Sequence, residues 1–169
     1  YSANLSSYLS TGGRLHYTVW SHHFYQYGPD SLFPGVAALA LAGFGVARWS
    51  DRGRVRMFLL VGLVGLVLSL GPETPGYRWV YAVVPPVRAI REVSRFGYLA
   101  LFAVAALGGL GLAAWRRRIA SESWAAGIGI AAILVVNLEA LRAPIAYTPF
   151  KGFSPIYQMI ADTPGVGVI

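Results

Sequence analysis

The chain has 169 residues, of which 56% are hydrophobic and only 12% are charged, and its mean hydropathy is +0.53. Since soluble domains carry about 25% charged residues, this composition excludes an ordinary soluble protein and predicts an all-α integral membrane protein. The net charge of +7 comes almost entirely from arginines beside apolar segments, which argues against nucleic acid as a partner. The absence of cysteine excludes disulfides and cysteine-based metal sites or nucleophiles.

Four apolar segments predict a polytopic bundle of four transmembrane helices, at residues 32–47, 57–71, 96–115 and 124–141. A helix needs about 20 residues to cross a hydrocarbon core of ~30 Å, and only the third segment meets this length comfortably. The first two require flanking residues or a thinner bilayer. A soluble bundle of buried helices is the alternative, but these segments leave almost no polar face for water.

The arginine distribution predicts how the bundle is oriented. Two short connections are crowded with arginine: Arg48, Arg52, Arg54 and Arg56 in the first, and Arg116, Arg117 and Arg118 in the third. Short loops rich in arginine lie on the cytoplasmic side of a membrane. We therefore expect a protein of the bacterial cytoplasmic (inner) membrane with both ends of this chain outside.

Three parts of the chain are then expected on the outer side. Residues 1–31 form an interfacial segment, because aromatic side chains such as Trp20 and Tyr27 favour the headgroup level. Residues 72–95 form an outer loop with an amphipathic interfacial helix. Residues 142–169 form an outer tail, which we interpret as the start of a truncated soluble domain, so that the chain is a fragment of a larger protein.

Small residues in the third segment predict a close helix contact. Ala105, Gly109 and Ala113 recur at four-residue spacing, with Gly108 and Gly111 beside them. Small side chains on one face of a membrane helix let a second helix approach closely.

An arginine-rich stretch directly before the third segment is the first candidate site. If residues 87–95 are helical, then Arg88, Arg91 and Arg95 fall on one face, and Glu92 is placed to hold Arg88. Three guanidinium groups in one stripe can bind a lipid phosphate through charge-assisted hydrogen bonds. The alternative is an interfacial helix whose arginines touch only bulk lipid headgroups, and the residues alone leave both open.

Four further polar residues of the outer segments are candidates to line a polar cleft. They are His22, His23, Asp30 and Glu73. A carboxylate held in a cleft can act as a general base, and a histidine can carry a proton near neutral pH. The alternative is that the two histidines, like His16, only form hydrogen bonds at the headgroup level and that the two acids are ordinary loop residues. They form no recognisable ligand set, so no metal site is predicted.

Glu139 lies near the outer end of the fourth segment. An ionisable residue within a membrane span is a functional hypothesis by default. Arg142 is close enough in sequence to pair with it.

Short motifs give the chain a family resemblance. Residues 32–35 (LFPG) open one apolar segment, residues 68–72 (LSLGP) close another, and residues 84–88 (VPPVR) lead through residues 94–96 (SRF) into a segment rich in glycine and alanine. With these motifs the chain resembles the C-terminal membrane portion of bacterial multispanning proteins of the GT-C glycosyltransferase-like superfamily, including the YfhO-like group.

The resemblance implies that the protein handles a polyprenyl-phosphate-linked sugar at the outer membrane face. Arg88, Arg91 and Arg95 would bind the carrier phosphate, with membrane lipid as the other expected partner. The superfamily's catalytic acid and metal-binding acidic motif lie in the first outer loop, which we expect upstream of this fragment. No catalytic residue is therefore assigned, no cofactor is evident here, and a divalent metal is allowed only for the full-length protein. The alternative is a non-enzymatic membrane protein that binds or translocates a lipid-linked glycan or polymer.

Overall fold

The computed structural model of the protein describes residues 2–24, 31–142, 152, 157, 159, 160 and 162. Within these residues every regular element is helical, which confirms the all-α prediction. The α-helices are α1 (Arg14–Val19), α2 (Val36–Arg48), α3 (Arg52–Ser69), α4 (Pro75–Val83), α5 (Gly97–Arg116) and α6 (Glu122–Ala140). Short 3-10 helices cover Leu5–Leu9, Ser21–His23, Gly71–Glu73, Pro85–Ala89 and Val93–Phe96. Asp30 and nearly all of the predicted outer tail lie outside the described residues.

Local sequence sets where the long helices begin. Asp51 accepts a hydrogen bond from the backbone N–H of Arg54 at 3.1 Å and so caps α3, which starts at Arg52 rather than at the first apolar residue. Thr74 caps α4 in the same way. Gly35 precedes α2 with a φ of +99°, a conformation that glycine adopts readily and other residues avoid.

Glycines bring the helices together on two sides of α5. A Cβ atom added to Gly111 would meet the carbonyl oxygen of Leu41 in α2, and one added to Gly45 would meet that of Leu107 in α5. On the α3 side, a Cβ at Gly65 would lie 2.8 Å from the carbonyl oxygen of Phe96. Such close approach requires residues without side chains, so α5 is the central helix of the described bundle.

The predicted small-residue contact of α5 is only partly right. The close approach occurs at Gly111 and Gly108, where α2 packs, whereas a Cβ added to Gly109 would meet nothing within 4 Å. The reason is geometric, because positions 108 and 111 share a helix face that position 109 turns away from.

The N-terminal segment folds across one end of the bundle. The backbone N–H groups of Ala3 and Arg14 donate to the carbonyl oxygens of Ser69 and Leu141, both at 2.9 Å, and so satisfy the free C-terminal ends of α3 and α6. Leu32, which is 1% exposed, packs beneath this segment, and its N–H donates to the carbonyl of Ser7. The segment is therefore part of the helix packing at this end of the bundle.

The two arginine-rich connections meet at the opposite end of the bundle. The guanidinium of Arg117 lies 4.5 Å from the ring centroid of Trp49, and that of Arg118 lies 5.5 Å from the ring of Phe44. Arg52 donates to the carbonyl oxygens of Val46 and Ala47 at the end of α2. Cation–π contacts of this kind hold the two connections together on one side.

Two helices are long and apolar enough to cross a membrane, by length and composition. They are Val93–Arg116, which is α5 with the 3-10 helix before it, and α6; α2 is apolar but has only 13 residues. Along α6, large apolar side chains such as Ile130, Ile133 and Leu138 are about 60% exposed. Since large exposed apolar surfaces mark interaction sites, these helices support association with a membrane.

Candidate functional site

The arginine-rich stretch is not one helix, and the predicted single stripe of three arginines is therefore wrong. Pro85–Ala89 and Val93–Phe96 form separate 3-10 helices, and Ile90 and Glu92 between them have extended backbones. Prolines 85 and 86 lack an N–H and fix φ, so they start a short turn that stops after Ala89. The α-helix in the 72–95 loop is α4, which lies before these three arginines.

Arg88 is committed to a structural role. Its Nε donates to the carbonyl oxygen of Tyr81 at 3.1 Å, its Nη2 donates to that of Ala82 at 3.0 Å, and its guanidinium lies over the Tyr81 ring. These contacts satisfy free carbonyls at the end of α4, where a positive charge is also favourable. Arg88 points back to α4 and does not line the groove that contains the next two arginines.

Arg95 and Glu92 form an ion pair beside Arg91. Arg95 donates through Nε and Nη2 to Oε2 of Glu92, at 2.7 and 2.6 Å, so the predicted pairing of Glu92 with Arg88 is wrong. Arg91 is exposed and makes no hydrogen bond or ion pair with any other residue in the described part of the chain. The stretch thus presents one free guanidinium and one that is held by a neighbouring carboxylate.

These two arginines line a cavity of about 890 Å³, called the arginine groove here. Its lining residues are Ala89, Ile90, Arg91, Glu92, Arg95, Phe96 and Leu99. The groove lies where α5 begins, so the positive end of the helix dipole faces it. Its lining combines charged and apolar side chains, which suits a ligand with an anionic group attached to a hydrocarbon chain.

The described cleft candidates, His22, His23 and Glu73, are not among the residues that line this groove. His22 and His23 are exposed, with ring centroids 3.9 Å apart, and Nδ1 of His22 lies 2.9 Å from the carbonyl oxygen of Tyr17. Glu73 is exposed at the end of a 3-10 helix. No group of three or more metal-ligating side chains occurs among the described residues.

The sequence marks Glu139 as a candidate but does not predict its contacts. Its Oε2 accepts a hydrogen bond from the backbone N–H of Ala37 at 2.9 Å, in the first turn of α2, and its Oε1 lies 3.4 Å from Nε2 of His16. The predicted partner Arg142 lies instead against Gly12. The carboxylate therefore caps α2, where its negative charge is favourable, and joins α1, α2 and α6.

The His16–Glu139 pair is enclosed. The side chains are only 10% and 14% exposed, and the His16 ring packs on Trp20 and Phe33 at centroid distances of 4.7 and 5.3 Å. Nε2 of His16 is buried without a well-directed hydrogen bond in the described structure. The absence of a side chain at Gly35 lets the carboxylate approach the backbone, since a Cβ there would lie 2.8 Å from Oε2.

Tyr8 ties the N-terminal segment to α3. Its hydroxyl lies 2.7 Å from Oγ of Ser69, and Ser69 donates to the carbonyl of Leu66. Burial raises the pKa of Tyr8 above its ordinary value. The hydrogen bond to Ser69 opposes this shift but is the smaller effect, so the pKa remains raised. The phenol therefore stays protonated at neutral pH, and the contact does not depend on pH there.

Comparison with protein-family models, curated proteins and solved structures finds no match to this chain.

Proposed function

We propose that this chain is the membrane portion of a protein that handles a polyprenyl-phosphate-linked sugar at the outer membrane face. The observation that carries the proposal is the arginine groove, in which Arg91 has no partner among the described residues and Arg95 is held only by Glu92. Arginine suits phosphate because its fork of donors matches the oxygens. The apolar wall formed by Phe96 and Leu99 suits the start of a hydrocarbon chain.

The proposed orientation puts the arginine groove outside and the arginine-rich connections in the cytoplasm. In this orientation α2, α3, α5 and α6 are four spans of an inner-membrane protein, and both ends of the chain are outside. The contact of Arg117 with Trp49 supports it, because the two connections share one end of the bundle. The short α2 requires a locally thinned bilayer.

The proposed phosphate site has two arginines, one fewer than the sequence predicts. Arg91 and Arg95 bind the phosphate, and Arg88 positions the stretch by capping α4. Binding requires Arg95 to exchange Glu92 for the ligand, or to share its donors between them. Each hydrogen bond to a charged group contributes about 1.5–3 kcal/mol net, so two arginines are enough to distinguish a phosphorylated carrier from an uncharged lipid.

Replacing both Arg91 and Arg95 by glutamine tests this site. We expect the dissociation constant for polyprenyl phosphate to rise at least about tenfold, which corresponds to ~1.4 kcal/mol. The measurement is binding to the full-length protein in vesicles of zwitterionic lipid, which remove competition from anionic headgroups.

The matched control is Arg88→Gln, which removes an arginine of the same stretch from outside the groove. It should change the dissociation constant by less than about twofold, because the lost bonds are to the protein backbone. Equal binding by the double variant and the unaltered protein would instead mean that the stretch only anchors the chain at bulk headgroups.

Glycosyl transfer is the finer part of the proposal, and it rests on the resemblance of the sequence motifs. Binding of the carrier without transfer of its sugar would favour the non-enzymatic alternative, a protein that binds or translocates a lipid-linked polymer. An Asp/Glu pair in the first outer loop of the full-length protein would favour the enzyme, and that loop would also hold any divalent metal.

A further inference from the structure

Among the described residues, Glu92 is the one acidic side chain that lines the arginine groove. Its side chain is 31% exposed, against 70% for its partner Arg95, so its charge is the less screened of the two. Two arginines and one glutamate give the lining a net formal charge of +1. A carboxylate in the wall of a phosphate site therefore bears on which anions the site accepts.

The contact with Glu92 leaves part of the Arg95 guanidinium available to a ligand. Nε and Nη2 of Arg95 lie 2.7 and 2.6 Å from Oε2 of Glu92, whereas Nη1 makes no hydrogen bond within the described part of the chain. A guanidinium has five N–H donors in a planar fork, so a phosphate can bind the Nη1 end while the carboxylate stays on the other edge. Glu92 then keeps its negative charge close to the bound phosphate.

Phosphate esters differ in charge in a way that this groove can distinguish. A phosphodiester, such as a phosphate that joins a lipid to a sugar, has one ionisable oxygen and carries one negative charge. A phosphomonoester carries about −1.5 to −2 at pH 7. The charge of the diester balances the lining, whereas the second charge of the monoester stays unpaired beside the carboxylate, and an unpaired charge that leaves water is unfavourable.

We propose that Glu92 makes the arginine groove selective for a singly charged phosphodiester over a phosphomonoester on the same hydrocarbon chain. This inference rests on the proposed function, because it requires Arg91 and Arg95 to bind the phosphate. A carrier that bears a sugar is a phosphodiester, and the carrier left after the sugar is removed is a phosphomonoester. Glu92 thus favours binding of the loaded carrier and release of the spent one.

Two probes with the same polyprenyl chain test the selectivity: the phosphate monoester and its methyl ester, which is a diester. Their dissociation constants are measured at neutral pH with the full-length protein in vesicles of zwitterionic lipid. Glu92→Gln removes the charge but keeps an oxygen that can accept from Arg95. We expect this variant to shift the ratio of the two constants toward the monoester by at least about fivefold, equivalent to ~1 kcal/mol.

Glu73→Gln is the matched control, because it removes an exposed acid of the same 72–95 loop that does not line the groove. It should leave the ratio unchanged. An unchanged ratio in Glu92→Gln, or an equal shift in Glu73→Gln, would overturn the selectivity.

The double replacement of Arg91 and Arg95 by glutamine separates this inference from the proposed function. If the double variant loses affinity for both probes while Glu92→Gln leaves the ratio unchanged, the selectivity alone is wrong. If the double variant binds both probes as tightly as the unaltered protein, both proposals are wrong. Phosphatidylglycerol, a singly charged phosphodiester on acyl chains, is the third probe. Binding as tight as that of the polyprenyl diester would support selection by charge but contradict a polyprenyl carrier as the preferred ligand.

Discussion

Gly111→Leu is expected to separate α2 from α5 and to lower the free energy of unfolding by about 3 kcal/mol. Any side chain at Gly111 meets the carbonyl oxygen of Leu41, and the reciprocal contact joins Gly45 to the carbonyl oxygen of Leu107. Backbone atoms cannot rotate away from a clash as a flexible side chain can. The helices must therefore move apart, which exposes the buried Ala42 and Leu107 between them.

The measurement is unfolding in mixed detergent micelles, followed by circular dichroism as the denaturing detergent increases. Leucine favours a helix over glycine by up to ~1 kcal/mol, so helix propensity acts against the expected loss. Gly109→Leu, two positions away and facing open space, is the control and should be at least as stable as the unaltered protein. Similar midpoints for Gly111→Leu and Gly109→Leu would mean that α2 does not pack on α5 at this glycine.

Glu139→Leu has the second-largest expected effect, because one carboxylate serves two neighbours. Its removal leaves the N–H of Ala37 uncapped, which costs about 1–2 kcal/mol. It also removes the carboxylate oxygen that lies 3.4 Å from the buried Nε2 of His16. Because this contact is not a well-directed hydrogen bond, its loss should cost less than the loss of the cap. We expect an earlier unfolding transition in detergent and faster proteolysis of the N-terminal segment, since His16 attaches that segment to α6.

Glu139→Gln separates the hydrogen bond from the charge. Glutamine keeps an oxygen that can accept from Ala37, so it should lose less than half as much stability as leucine does. Equal losses in the two variants would mean that the charge beside His16 and the helix end, rather than the hydrogen bond, carries the effect. Unchanged stability in both would contradict the capping role of Glu139.

The positions of the long helices follow from the sequence because apolar runs are bounded by local signals. Asp51 and Thr74 cap their helices from adjacent positions, and such short-range bonds are readable without the fold. The shared position of the two arginine-rich connections at one end of the bundle was equally predictable, since positive charge beside an apolar run marks one side of a membrane.

The contacts of Glu139 could not be predicted in the same way. Glu139 and Ala37 are 102 positions apart, and nothing local to either residue indicates the other. Arg142 was the expected partner because it is near in sequence, but it follows the end of α6 and lies against Gly12 instead. The missing side chain of Gly35 admits the carboxylate, but a glycine before a helix occurs for many other reasons and does not by itself predict this contact.

The prediction of a single arginine stripe is wrong because the stretch is not one continuous helix. Arg88, Arg91 and Arg95 share a face only if residues 87–95 continue one helix, and the prolines at 85 and 86 instead favour a short turn. The correction sharpens the site. It removes Arg88 from the proposed phosphate contacts and leaves Arg91 and Arg95 in a groove that Phe96 and Leu99 also line.

Protection of single cysteines from labelling tests most directly whether the arginine groove faces outward and binds a polyprenyl phosphate. The chain contains no cysteine, so each variant has one in this region. Ala89→Cys places a thiol in the groove while keeping both arginines, Val19→Cys places one outside the groove at the same end, and Ser123→Cys places one beside the arginine-rich connection. The reagent is a membrane-impermeant maleimide applied to intact cells or to oriented vesicles.

We predict that the maleimide labels Ala89→Cys and Val19→Cys from outside and labels Ser123→Cys only after permeabilisation. We further predict that added polyprenyl phosphate slows labelling of Ala89→Cys at least about tenfold, in line with a contact of ~1.4 kcal/mol or more, and leaves Val19→Cys unchanged. Labelling of Ala89→Cys that requires permeabilisation, or that polyprenyl phosphate does not slow, would contradict the proposed site.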